Sequence, residues 1–283
     1  DDDEDAPDDD EDAPDDSPAP SADVALIGPS EVEATSSSLT TTGGSTIEYE
    51  RFIPVTPTAT GEVFIMHGFM RSKDQFTALA EHLASWGVTS TAMTMMHSSL
   101  VDIDPVENAA DVVELAASLG AEEVVWIGHS NGGISALIAS VMATEISAGV
   151  LGLDPVEAIG GVGAEWAPEV SVPVAALIGE SDASCNSENS GLPTYIAASA
   201  IRTIRVTEAD HCNFESPTNW LCTLTCGTTK TRFSDEAIAT TITEMTTSWV
   251  LGNLLRDFDQ TPWWSTGGST WLELESVGAL TSL

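Results

Sequence analysis

The chain has 283 residues, enough for one sizeable α/β domain, with 42% hydrophobic residues and a formal net charge of −37. A surface so acidic repels polyanions, which excludes nucleic acid as a partner, and no window approaches the roughly 18 consecutive apolar residues of a membrane span. Residues 1–33 carry 15 of the 45 acidic side chains and none of the 8 basic ones, so residues 34–283 still hold a net −22.

Residues 1–7 read DDDEDAP, and residues 8–14 repeat them. Such a segment buries nothing and repels itself. With the Ser/Thr-rich stretch over 30–44, it predicts a disordered N-terminal segment over 1–45 and a folded catalytic domain over 46–283. The sequence opens in this acidic run, so no signal peptide is expected in it; a secreted chain would already have lost one. Residues 47–55 alternate partly and predict an edge strand ending near Pro54, and the apolar run 61–66 predicts a buried strand. Phe76, Leu79, Ala80 and Leu83 have helical spacing, with a stop near Gly87. Strands follow at 88–95, 123–127, 148–153, 172–178 and 202–206, with helices at 104–119 and 234–256 and a helical run after Gly133. This alternation predicts a mostly parallel sheet with helices on both faces. The C-terminal Trp263, Trp264 and Trp271 have no assigned element and are expected to pack on the core or a sheet edge.

The most informative stretch is Gly128-His129-Ser130-Asn131-Gly132-Gly133. A strand runs into Gly-x-Ser-x-Gly and a helix runs out of it, which is the context of a nucleophile elbow. A serine nucleophile needs a base and a group to orient that base. Of five histidines, His211 falls late enough to follow the acid in the order Ser, acid, His. The acid has two candidates: Asp182 in the turn after 172–178, and Asp154 after 148–153. Four cysteines, Cys185, Cys212, Cys222 and Cys226, suggest two disulfides and an oxidising, secreted or extracytoplasmic setting; their spacing does not favour a metal site. Cys185 lies three residues after Asp182, and Cys212 is next to His211. If Asp182 orients His211, a Cys185–Cys212 bridge staples the two loops and Cys222–Cys226 closes a local one. This favours Asp182, with Asp154 the alternative. An oxyanion hole is expected from the backbone N–H of Asn131 and that of Phe69, or of Met70 if the turn after Met66 is set one residue later.

These residues carry a resemblance. His67-Gly68-Phe69, Leu83-Ala84-Ser85-Trp86-Gly87-Val88 and the elbow are similar to α/β-hydrolase serine esterases, in the branch of chlorophyllase-like proteins and cutinase-like polyester hydrolases. The resemblance spans about residues 46–256 and implies an α/β-hydrolase fold. Leu153-Asp154-Pro155-Val156 resembles the chlorophyllase motif that contains the acid, whereas Gly179-Glu180-Ser181-Asp182 with its nearby cysteine resembles the polyester hydrolases. Asn131 replaces the Arg and Met common in the two groups, so substrate identity does not transfer. Lids in this fold usually enter after the strand that ends at Asp154; here 17 residues, 155–171, reach the next strand, so no lid domain is expected.

The expectation is a secreted, monomeric serine hydrolase of carboxylic esters, including bulky, polymeric or lipid-like ones, with no cofactor because water resolves the acyl-enzyme. Phe69, His129 and Trp166 are candidates for the acyl site. A peptidase or thioesterase on the same fold, and a binding module that has lost turnover, are the alternatives.

Overall fold

A computed structural model describes residues 23–283 except Ile159. The acidic repeat at 1–14 lies outside the described residues. The chain forms a nine-stranded sheet. Its strands are β1 (Val32–Thr40), β2 (Thr46–Pro54), β3 (Glu62–Met66), β4 (Thr89–Met93) and β5 (Val124–His129). They continue with β6 (Ser147–Leu153), β7 (Val174–Ile178), β8 (Arg202–Val206) and β9 (Leu280–Ser282). The spatial order is β1-β2-β4-β3-β5-β6-β7-β8-β9. The six strands from β4 to β8 are mutually parallel, and antiparallel pairs close both edges. A small ribbon, Ser98–Ser99 against Asp102–Ile103, stands outside the sheet.

The central strands read as continuous apolar runs because both of their faces are covered. In β3, Val63 and Ile65 face one layer while Phe64 and Met66 face the other; in β5, Val125 and Ile127 oppose Val124 and Trp126. The first layer is packed by α1 (Thr77–Ser85) and later by the long α7 (Asp235–Leu254). The second is packed by α2 (Pro105–Leu119) and α3 (Asn131–Met142). Helix α2 starts where the Asp104 carboxylate accepts from the N–H groups of Val106 and Glu107 with Pro105 at its first position, and it stops at left-handed Gly120.

The folded region begins earlier than the expected residue 46. Polar β1 forms a full hairpin with β2, and Val24 is completely buried against the α1 layer. Its Ser/Thr composition suggested a linker, but an edge strand open to water on most positions needs backbone pairing, not apolar side chains. At the other end, Trp263, Trp264 and Trp271 are all buried, in α8 (Thr261–Trp264) and α9 (Ser269–Ser276). Trp264 packs on Trp249 at 4.8 Å, and the Arg202 guanidinium lies 3.7 Å over Trp271. These helices lead into β9, which covers the β8 edge.

Among the described residues of the 155–171 connection, the regular elements are the five-residue α4 (Val162–Trp166) and a 3-10 turn, both packed against α3. Helices α5 (Leu192–Ala197) and α6 (Trp220–Cys226) complete the set. Among the described residues, no helix is long and apolar enough to cross a membrane.

Candidate active site

Ser130 sits at the end of β5 with φ 57° and ψ −129°, a backbone state that costs a non-glycine residue about 1–3 kcal/mol. The surroundings hold it there. Its N–H donates to the Leu153 carbonyl, and its own carbonyl accepts from the N–H groups of Gly133 and Val156 at 3.0 Å each. The tight turn requires glycine at two approaches. A Cβ on Gly128 would lie 2.0 Å from the Gly132 carbonyl oxygen, and one on Gly68 would lie 2.6 Å from the Ser130 Cβ.

Strand β6, next to β5, delivers Asp154, and the turn after β8 delivers His211. His211 Nδ1–H donates to Asp154 Oδ2 at 2.6 Å, and the Asp154 side chain is fully buried. The carboxylate is saturated: Oδ2 also accepts from Asn186 Nδ2 at 3.1 Å, and Oδ1 accepts from the Gly179 N–H at 2.9 Å. With Nδ1 committed to Asp154, the imidazole presents Nε2 as its basic nitrogen. The turn itself is capped by Asp210, which accepts from the Cys212 N–H and is held by Lys230 Nζ at 2.7 Å.

Asp182, the favoured acid, is not the partner of His211. Its Oδ1 accepts from the N–H groups of Ser184 and Cys185 at 2.8 and 2.7 Å, an Asx-type turn that closes its own loop. Asn186 stands between that loop and the histidine, donating to Asp154 and to the Glu180 carbonyl. The Asp-x-Ser-Cys spacing was the available signal that Asp182 serves as a local cap.

The expected disulfide pairing changes with it. The bridges are Cys185–Cys226 and Cys212–Cys222. Cys222 and Cys226 are four apart on α6, so they emerge side by side on one face and each reaches a different loop. Helix α6 is thereby fastened to the His211 turn by one bridge and to the Asp182 loop by the other.

The oxyanion candidates separate cleanly. The Met70 N–H donates to the Ser98 carbonyl at 2.7 Å and is spent. Among the described residues the N–H groups of Phe69 and Asn131 have no protein acceptor. Asn131 is the first residue of α3, where helical N–H groups lack intrahelical partners.

Two further histidines brace the site as neutral rings. His67 donates through Nδ1 to the Gly68 carbonyl at 2.6 Å and accepts the Met95 N–H at Nε2; burial pushes its pKa down to about 4. His129 does not line an acyl site as expected. It is buried, with Nε2–H donating to the His211 carbonyl and its ring 4.4 Å from the His211 ring, and burial holds its pKa well below the usual histidine value. Trp166 is also displaced from the expected role: it packs on the α2–α3 layer, away from Ser130.

What opens over Ser130 and His211 is a cleft of about 340 Å³. Phe69, Met70 and Arg71 form one wall, and Ser184, Thr225 and the Cys185–Cys226 bridge form the other. Three residues that sequence reasoning missed are now evident. Asn186 positions Asp154, His129 carries the backbone of His211, and Arg71 faces the cleft. An isolated Asn or Arg carries no spacing signal, whereas His129 lies inside the elbow motif and turns inward to the His211 carbonyl instead of outward to the cleft.

No protein-family model matches the chain, and no curated protein sequence matches it. Among solved structures, it is similar to a dienelactone hydrolase from Anabaena variabilis, at 18% identity and a TM-score of 0.55 over 80% of this chain and 99% of that one. The shared architecture is the α/β-hydrolase fold.

Proposed function

We propose that the protein is a serine hydrolase of carboxylic esters. Ser130 Oγ attacks the ester carbonyl, His211 Nε2 takes its proton and returns it to the departing alcohol, and Asp154 holds the productive tautomer of His211. The N–H groups of Phe69 and Asn131 receive the negative charge on the tetrahedral oxygen. Water, deprotonated by His211, then releases the acid. The observation that carries this reading is the buried 2.6 Å contact from His211 Nδ1 to Asp154, on a histidine that shares one cleft with a serine at a strained elbow.

The open cleft supports bulky or polymeric esters as substrates. Cutinase-like polyester hydrolysis rests on the open cleft, since the acid at Asp154 sits in the chlorophyllase-like motif and not in the polyester-hydrolase-like one; the two disulfides fit a secreted or extracytoplasmic setting. The test is turnover of short p-nitrophenyl esters beside peptide p-nitroanilides. Ester hydrolysis with a pre-steady-state burst of one p-nitrophenol per chain is expected, and amide cleavage without ester cleavage would reject the reading.

A further inference from the structure

The protein carries 45 acidic and 8 basic side chains, yet among the described residues that line the Ser130 cleft there is one guanidinium and no carboxylate. That guanidinium belongs to Arg71, two residues after Phe69. It is fixed from behind: Nε donates to Glu215 Oε1 at 2.5 Å, and Glu215 is wholly buried with Oε2 accepting from Thr218 Oγ1. Nη1 makes only a long contact of 3.4 Å with the Met70 carbonyl, and among the described residues Nη2 has no acceptor. Glu215 therefore spends its oxygens away from the cleft and orients a planar fork of N–H donors toward it.

Resting on the esterase reading above, we infer that the natural ester bears a carboxylate, which Arg71 binds while Ser130 attacks a neighbouring ester bond. A guanidinium presents parallel donors that match the two oxygens of a carboxylate, and it keeps its charge at any working pH. Glu215 cancels part of the positive charge at long range. It does not occupy the Nη donors, so a ligand carboxylate gains the short charge-assisted hydrogen bonds while Glu215 stays on the Nε side. Elsewhere the acidic surface opposes an anionic substrate, so a local cation is what admits one. On a polyester this selects ester bonds close to carboxylate chain ends, and among small molecules it selects half-esters of dicarboxylic acids.

The test compares kcat/KM for monoethyl adipate and diethyl adipate at matched pH and ionic strength, followed by chromatography of the acid products. The wild-type ratio of half-ester to diester should stand severalfold above one, against the overall charge of the protein. In Arg71→Gln, and in Arg71→Gln/Glu215→Gln, which leaves no buried unpaired carboxylate, it should fall to about one or below. A ratio is insensitive to a loss of folded enzyme. A wild-type ratio at or below one, or one that both variants preserve, overturns the inference while leaving the esterase reading intact. Turnover of a short p-nitrophenyl ester with neither adipate ester hydrolysed also overturns the inference, whereas failure on all three overturns the esterase reading itself.

Discussion

Replacing Asp154 by Asn is the sharpest probe of the site, because all three donors around the carboxylate are fixed. Oδ2 faces His211 Nδ1 at 2.6 Å and Asn186 Nδ2 at 3.1 Å, and Oδ1 faces the Gly179 N–H at 2.9 Å. If the amide oxygen takes the Gly179 side, its NH2 meets Asn186 donors and forces His211 Nδ1 to accept. The proton then sits on Nε2, where the base must be empty. If the amide is turned over, its NH2 meets the Gly179 N–H, leaving a buried donor unpaired at about 1–3 kcal/mol. The first arrangement loses the base outright, and the second loses the negative charge that stabilises the imidazolium. In the serine protease triad the same change costs about 10⁴-fold in kcat, which is about 5.4 kcal/mol at 1.36 kcal/mol per decade. A loss of that order in kcat for a short p-nitrophenyl ester is expected here, with little change in KM. Asp182→Asn should stay within a few-fold of wild type, since an Asn Oδ1 can still accept from Ser184 and Cys185. Retained turnover in Asp154→Asn beside a hundredfold or greater loss in Asp182→Asn, with both variants folded, would refute the reasoning.

Gly68→Ala places a methyl 2.6 Å from the Ser130 Cβ, so the oxyanion loop must retreat; kcat should fall about 100-fold or more, and wild-type kcat would contradict this. Non-reducing peptide mapping should recover Cys185–Cys226 and Cys212–Cys222, and removing these bridges as pairs should destabilise the fold by about 4 and about 3 kcal/mol for separations of 41 and 10 residues. His67 has its folded pKa depressed to about 4 from 6.5, so the unfolded chain takes up its proton first as pH falls. Its contribution is full above pH 6.5 and is lost between there and about 4, at up to ~1.4 kcal/mol per pH unit and ~3 kcal/mol in all. Proton NMR of the ring should show His67 still neutral at pH 5; an ordinary titration near 6.5 would remove this term.

Much of this architecture is legible from local patterns. The buried strands announce themselves as short apolar runs between Gly-rich turns, and Gly128-His129-Ser130-Asn131-Gly132 carries its own strand and helix context. What escaped were facts of long-range geometry. Asp154 and Asp182 both follow apolar strands; the Asp-Ala-Ser-Cys turn marks Asp182 as able to cap its own loop, but no local pattern shows that Asn186 fills the space before it and leaves His211 to Asp154. The cysteine pairing was tied to that choice and changed with it. The Ser/Thr-rich β1 looked like a linker because an edge strand is held by its backbone ladder, which composition does not display. Short β9 was hidden for the same reason: three residues paired to β8 after two small helices carry no periodicity.

The most direct measurement of the central claim is covalent labelling of the intact chain with a fluorophosphonate, read by whole-protein and peptide mass spectrometry alongside residual esterase activity. A catalytic Ser130 predicts one phosphonyl group per chain, on the peptide containing Ser130, loss of activity in step with labelling, and no label on Ser130→Ala. Labelling confined to another residue, or full activity in Ser130→Ala, would contradict it.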